Sequence, residues 1–264
     1  MAKCRINSFD VHYQEQGEAN LPVLVLIHGL GCSLKYWTCV FEAEELSHYR
    51  ILALDLPGFG MSEKPATYDY DLCSQADITY ALLKELQIPK VSLIGHSMGG
   101  AIAIILAHTY PEVVERLLVI EPNLKANDAH LSREIIRHSE AEFIQSYEDF
   151  KRIAIDTVQK WFVNSHRADI EEYIGELLKT TPISMYRSAQ SLMTVTADDT
   201  LLMQFRQFDM PKYFLIGEET MKTRNIPERL QQSDVQIMVV PGVGHMMMVD
   251  NPRLFTKTLA SILP

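Results

Sequence analysis

Ser97 stands between glycines in Gly95-His96-Ser97-Met98-Gly99-Gly100, and His245 closes a glycine-rich run, Val240-Pro241-Gly242-Val243-Gly244-His245, late in the chain. A serine hydroxyl is a poor nucleophile at neutral pH. It needs a base within hydrogen-bond reach, and that base needs a carboxylate to orient it. Ser97 and His245 are therefore the candidate nucleophile and general base of an acyl-transfer site. Gly-x-Ser-x-Gly has chemical meaning only on a tight turn from strand to helix. Val91-Ser92-Leu93-Ile94 reads as a buried strand and Ala101 to Ala107 as an apolar helix, so that context is predicted. The rival for a glycine-rich strand-to-helix turn is a phosphate cradle, but no Lys-Ser or Lys-Thr pair follows Gly100.

A tetrahedral oxyanion needs two preset backbone donors. One is expected from the amide of Met98, immediately after the nucleophile. The second is expected from Leu30, in the loop His28-Gly29-Leu30-Gly31 after the strand Val23 to Ile27. His28, directly after that strand, reads as a brace for the loop rather than as a base. Met246-Met247-Met248 beside His245 suits an apolar pocket of adaptable shape, and equally suits buried filler.

The elements that must hold these residues form a regular series. Val23 to Ile27, Ile51 to Leu54, Val91 to Ile94, Leu117 to Ile120, Tyr213 to Ile216 and Ile237 to Val240 are continuous β-rich runs with helical patterns between most of them. That order predicts an α/β fold with a mostly parallel sheet covered on both faces. Arg5 to Gln16 is expected as an antiparallel hairpin at the sheet edge. The interval of about eighty residues between the fourth and fifth runs is too long for a loop and must hold its own structure. Phe143, Tyr147, Phe150 and Ala154 recur at helical spacing, as do Ile170, Tyr173, Ile174, Leu177 and Leu178, and Thr181-Pro182 starts a further helix. The expected organisation is a core of 1–123 and 206–264, with a helical cap over 124–205.

The 264 residues carry 47% hydrophobic and 22% charged side chains and a formal net charge of −10. Spread without long acidic runs, that charge argues against nucleic-acid binding. Cys4, Cys32, Cys39 and Cys73 lack metal-ligand spacing and read as reduced thiols. No apolar stretch approaches the roughly 20 residues that span a bilayer, and the first residues lack a signal-peptide core. A cytoplasmic protein acting on a small molecule, as a monomer or homodimer, without metal or membrane, is the expectation.

Together with Asp55-Leu56-Pro57-Gly58-Phe59-Gly60-Met61-Ser62, the loop at His28 to Gly31, the Ser97 turn and Gly244-His245 make four motifs in order, and over nearly its whole length the chain resembles the α/β-hydrolase superfamily. The resemblance implies an eight-stranded sheet, a cap after the sixth strand, no cofactor, and Ser97 and His245 as nucleophile and base. It also suggests that Trp37 lies near the acyl or alcohol pocket, although a core tryptophan fits as well. One place departs from the pattern. Where the family usually carries its acid, beyond the strand ending Ile216-Gly217-Glu218-Glu219, this chain has Thr220. Three arrangements stay open: Glu219 or Glu218 takes the role, the triad lacks an acid, or the acid comes from Glu121 at the end of the sixth strand, as in some members of the superfamily. Glu121 is preferred, since the sheet edge there faces the site. Serine rather than aspartate at position 97 points to a carboxylic ester hydrolase. Carbon–carbon, lactone or amide cleavage, perhydrolysis, and a small-molecule-binding protein with little turnover remain alternatives on the same parts.

Overall fold

Runs of Val, Ile and Leu with no polar alternation belong in strands whose two faces are both covered, and the structure places them so. The computed structural model describes residues 1–224 and 228–264. Its strands are β1 (Ala2–Ile6), β2 (Phe9–Gln16), β3 (Val23–Ile27), β4 (Arg50–Leu54), β5 (Val91–His96), β6 (Val114–Ile120), β7 (Lys212–Gly217) and β8 (Gln236–Val240). They form one eight-stranded sheet in the order β1-β2-β4-β3-β5-β6-β7-β8. The β1/β2 and β2/β4 pairs are antiparallel, whereas the pairs from β4/β3 through to β7/β8 are parallel. Every side chain of β3 is buried, as a central strand covered on both sides requires.

The helices are α1 (Thr38–Phe41), α2 (Leu72–Glu85), α3 (Met98–Thr109), α4 (His130–Ile135), α5 (Glu140–Gln145), α6 (Tyr147–Gln159), α7 (Arg167–Leu178), α8 (Pro182–Val195), α9 (Thr200–Gln207), α10 (Glu218–Met221), α11 (Glu228–Gln231), α12 (Met247–Asp250) and α13 (Pro252–Ile262). Helices α4 to α9 fill the long interval between β6 and β7. The expected helix through Phe143, Tyr147, Phe150 and Ala154 is two helices, broken at Ser146. Thr181 caps α8 by accepting the Ser184 amide at 3.1 Å, with Pro182 at the first helical position where its missing N–H costs nothing. The expected core boundary at 206 falls inside α9. Leu201, Leu202 and Phe205 of that helix are buried and it packs on α3. Among the described residues no helix is long and apolar enough to cross a membrane.

Two buried polar groups tie the loops at the carboxyl ends of the strands. Asp55 accepts the amides of Leu34 at 2.7 Å and Met61 at 2.8 Å and the Nδ1–H of His12 at 2.7 Å, joining the loops after β3 and β4 to the edge hairpin. His28 donates from Nδ1 to the Gly29 carbonyl at 2.8 Å and accepts the Leu56 amide at Nε2 at 3.1 Å. Both ring nitrogens are thus engaged in bracing the loop, as its place after a strand suggested.

Candidate active site

The turn between β5 and α3 puts Ser97 at φ 54° and ψ −120°, a left-handed conformation that non-glycine residues adopt only under constraint. Its amide donates to the Ile120 carbonyl at 2.9 Å, so the parallel ladder continues one residue past β5. The neighbour before the tip has to be small. A Cβ on Gly95 would lie 2.2 Å from the Gly99 carbonyl oxygen. On the opposite side, a Cβ on Gly29 would lie 3.1 Å from Ser97 Cβ, which shows how closely the Gly29-Leu30 loop passes the serine.

Glu121 follows β6 at φ 44°, a second residue held in the left-handed region. Its amide donates to the Leu215 carbonyl at 2.9 Å, and its fully buried carboxylate accepts the Gly217 amide at 2.8 Å. The other carboxylate oxygen accepts Nδ1–H of His245 at 2.8 Å. Burial pushes the Glu121 pKa up. The hydrogen bond and charge of His245, the Gly217 amide and the Thr220 hydroxyl outweigh that, and hold it below the usual carboxylate range. Thr220, where a carboxylate was expected from the resemblance, thus helps to hold the Glu121 carboxylate ionised.

The other two glutamates have different partners. Glu218 accepts the Gly242 amide at 2.9 Å, and Glu219 pairs with Lys222 at 2.6 Å. Both help shape the loop that carries His245, and the Glu219 amide donates to the Val243 carbonyl at 3.1 Å. His96 completes that support by donating from Nε2 to the His245 carbonyl at 2.9 Å. Asp250 clamps the same loop to the segment after α6: it accepts the Gly244 amide at 3.0 Å, the Val163 amide at 2.8 Å and the Ser165 hydroxyl at 2.7 Å.

Ser97, His245 and Glu121 meet at a cavity of about 350 Å³, whose wall also includes Gly29 and Leu30. Leu131, Trp161, Tyr173 and Leu192, all from the segment between β6 and β7, supply its apolar side. The Trp161 ring meets the His245 ring edge-on at a centroid distance of 5.2 Å. Met98 is buried at the start of α3, next to Ser97. Trp37 and Met246, by contrast, are not on the cavity wall. Trp37 is buried against Phe255 with ring centroids 6.4 Å apart, and Met246 is buried where α12 begins, because the turn after His245 directs it into the core. Both expected pocket residues are corrected to core residues.

Cys32 also lines the cavity, but burial pushes its thiol up to about 12, so it stays protonated and is no competing nucleophile. Among the described residues no group of three His, Cys, Asp or Glu side chains could hold a metal ion. Sequence reasoning missed Asn123, whose Oδ1 accepts the Ser97 hydroxyl at 3.3 Å. It sits two residues beyond Glu121, and that spacing is the only signal that could have found it.

His28 and His96 make stability depend on pH. Burial lowers the pKa of both, and for His96 the neighbouring His245 lowers it further. With folded values below the ordinary value of about 6.5, the unfolded chain takes up protons first as pH falls. Stability is therefore complete above about pH 6.5 and declines below it. The buried carboxylates of Asp55 and Glu121 do not offset this, since their partners hold both below the usual carboxylate range. The urea midpoint is expected to fall steadily from pH 7 to 5.5; a flat midpoint over that range contradicts the assignment.

A fold with a serine on a strand-to-helix turn, a histidine after the last strand and a mostly parallel eight-stranded sheet defines the alpha/beta hydrolase class. A family model described as alpha/beta hydrolase fold matches residues 22–252, and the chain belongs to that family. It is an enzyme of the alpha/beta hydrolase type. A Bacillus subtilis (strain 168) protein, provisionally named as a 2-succinyl-6-hydroxy-2,4-cyclohexadiene-1-carboxylate synthase, is 27% identical over 263 residues, covering 94% of this chain and 93% of that one. The (E)-2-((N-methylformamido)methylene)succinate hydrolase of Acinetobacter baylyi is 34% identical over 176 residues, 66% of this chain and 61% of that protein. Of solved structures, the bromoperoxidase from Bacillus anthracis superposes with a TM-score of 0.81 at 18% identity, covering 99% of both chains, a likeness of fold alone.

Proposed function

We propose that this enzyme hydrolyses a small to medium, mostly apolar carboxylic ester through an acyl-enzyme on Ser97. The observation that carries the proposal is the 2.8 Å hydrogen bond from His245 Nδ1 to Glu121, at the wall of the cavity that Ser97 also lines. An imidazole that donates from Nδ1 keeps its lone pair on Nε2, the tautomer a general base needs. Ser97 turns its hydroxyl from Asn123 to Nε2 and loses its proton as Oγ bonds to the carbonyl carbon. The amides of Leu30 and Met98 receive the oxyanion. Collapse breaks the ester C–O bond, and His245 protonates the departing alcohol. Water then attacks the acyl group by the same route and frees the acid. Glu121 opposes the positive charge of the imidazolium in both halves.

The helices over 124–205 act as the cap, and their Leu131, Trp161, Tyr173 and Leu192 give the acyl or alcohol portion an apolar wall. The Acinetobacter relative, named as a hydrolase, supports hydrolysis as the reaction class. Treatment with a fluorophosphonate probe is expected to label Ser97, with no label on Ser97→Ala, and p-nitrophenyl esters of increasing acyl length are expected to show an optimum at short to medium chains. Wild-type protein that takes no label, or a label that survives in Ser97→Ala, overturns the proposal.

A further inference from the structure

Asn123 lies 5% exposed on the cavity wall and has no part in the nucleophile, base and acid arrangement. Its amide group has one orientation. Nδ2 donates to the Asp128 carbonyl at 2.9 Å, which leaves Oδ1 to face the serine, where it accepts the Ser97 hydroxyl at 3.3 Å. The turn that carries it is tied down on both sides. The Asp128 carboxylate accepts the amides of Leu124 at 3.1 Å and Lys125 at 3.0 Å and pairs with Arg224 at 3.0 Å, and the Arg224 guanidinium in turn donates to the Pro122 carbonyl. Asn123 is therefore a fixed acceptor beside the reacting oxygen.

We propose that Asn123 Oδ1 holds the water that hydrolyses the acyl-enzyme, an inference that rests on the acyl-enzyme reading above. An amide oxygen is too weak a base to take the serine proton, so in the free enzyme it only parks the hydroxyl. Acylation changes its situation: Ser97 Oγ then carries no hydrogen, and Oδ1 is left as a nearly buried acceptor without a donor, a state that is costly unless water fills it. One water donates one hydrogen to Oδ1 and the other to His245 Nε2, and so stands beside the acyl carbon on Ser97. As its oxygen bonds to that carbon, the proton facing His245 moves to Nε2 and the carbonyl electron pair moves to the oxyanion. Collapse breaks the carbon–Oγ bond, and His245 returns the proton to Ser97. The hydrogen held by Asn123 leaves with the carboxylic acid, which loses it to solvent.

This role separates the two halves of the reaction. For Asn123→Ala with p-nitrophenyl acetate, the burst of p-nitrophenol is expected at close to the wild-type rate, because acylation uses no water. Decay of the acetyl adduct on Ser97, followed by acid quench and intact mass, is expected to slow about ten- to a hundredfold, the effect of one lost partner on a nearly buried polar site. Since kcat/KM reports acylation, kcat and KM are expected to fall together. Asn123→Ser, a smaller change that keeps an oxygen acceptor, is expected to decay between the two. An acetyl adduct on wild-type Ser97 that decays no more slowly in either variant, or acylation and decay slowed equally, overturns the water-holding role alone. Absence of any Ser97 adduct in the quenched wild-type enzyme removes the acyl-enzyme itself, and this inference with it.

Discussion

Glu121→Ala is expected to lower kcat on a p-nitrophenyl ester by about 10²- to 10⁴-fold, the scale on which triad carboxylates act, while Glu219→Ala is expected to leave it nearly unchanged. The difference follows from what each carboxylate touches. Glu121 is buried and accepts the His245 Nδ1–H at 2.8 Å, whereas Glu219 pairs with Lys222 beside solvent. Without the Glu121 carboxylate the imidazole loses the partner that selects its tautomer and stabilises its positive charge. Glu121→Gln, nearly the same shape, is expected to fail almost as badly, which separates a lost charge from a lost contact. Steady-state kinetics on the three variants, with urea midpoints to check folding, decide the matter. A larger loss in Glu219→Ala than in Glu121→Ala would falsify the assignment.

Gly95→Ala is expected to prevent the native fold. The added Cβ would sit 2.2 Å from the Gly99 carbonyl oxygen, and that neighbour is backbone in the first turn of α3 and cannot swing aside. Relief requires moving the start of α3 away from β5, although every residue of that helix from Met98 to Ala107 is buried. Such overpacking against rigid backbone belongs with the exceptional point mutations that cost more than about 4 kcal/mol, a large part of the stability of an ordinary domain. Expression in the insoluble fraction, or a urea midpoint far below wild type, is the expected result. A soluble variant with a wild-type midpoint would show that the turn is looser than described.

Much of this was legible in the sequence because central parallel strands announce themselves. The expected β3 coincides with Val23–Ile27, and the expected β4, β5, β7 and β8 each lie within the observed strands. The serine turn was equally legible, since only small neighbours permit it. The choice among three glutamates was legible only as a preference for Glu121, because it depends on how β6 and β7 lie side by side. Only that register sets Glu121 against the loop of His245 and Thr220 against Glu121. Trp161 was missed because no local pattern tells which residues of an inserted segment face the site, and Asn123 because its place depends on how the turn after β6 is held. Met246 shows the converse: an apolar residue beside His245 in sequence turns into the core once the chain bends, and Trp37, which the resemblance set near the pocket, is a core residue too.

The left-handed backbone at Ser97 and Glu121 also bears on whether this chemistry could be moved to another protein. Each such residue costs about 1–3 kcal/mol, and here each is secured by an amide that donates to the next strand over, Ser97 to Ile120 and Glu121 to Leu215, both at 2.9 Å. The motif is thus not a portable peptide. A host scaffold given Gly-His-Ser-Met-Gly-Gly and a suitably spaced glutamate would relax both residues into ordinary conformations, unless it also offered three adjacent parallel strands ending at the same level. The smallest unit that holds both residues is the β5-β6-β7 sheet edge with its following loops, and the chemistry needs in addition the loops after β3 and β8 that carry Leu30 and His245.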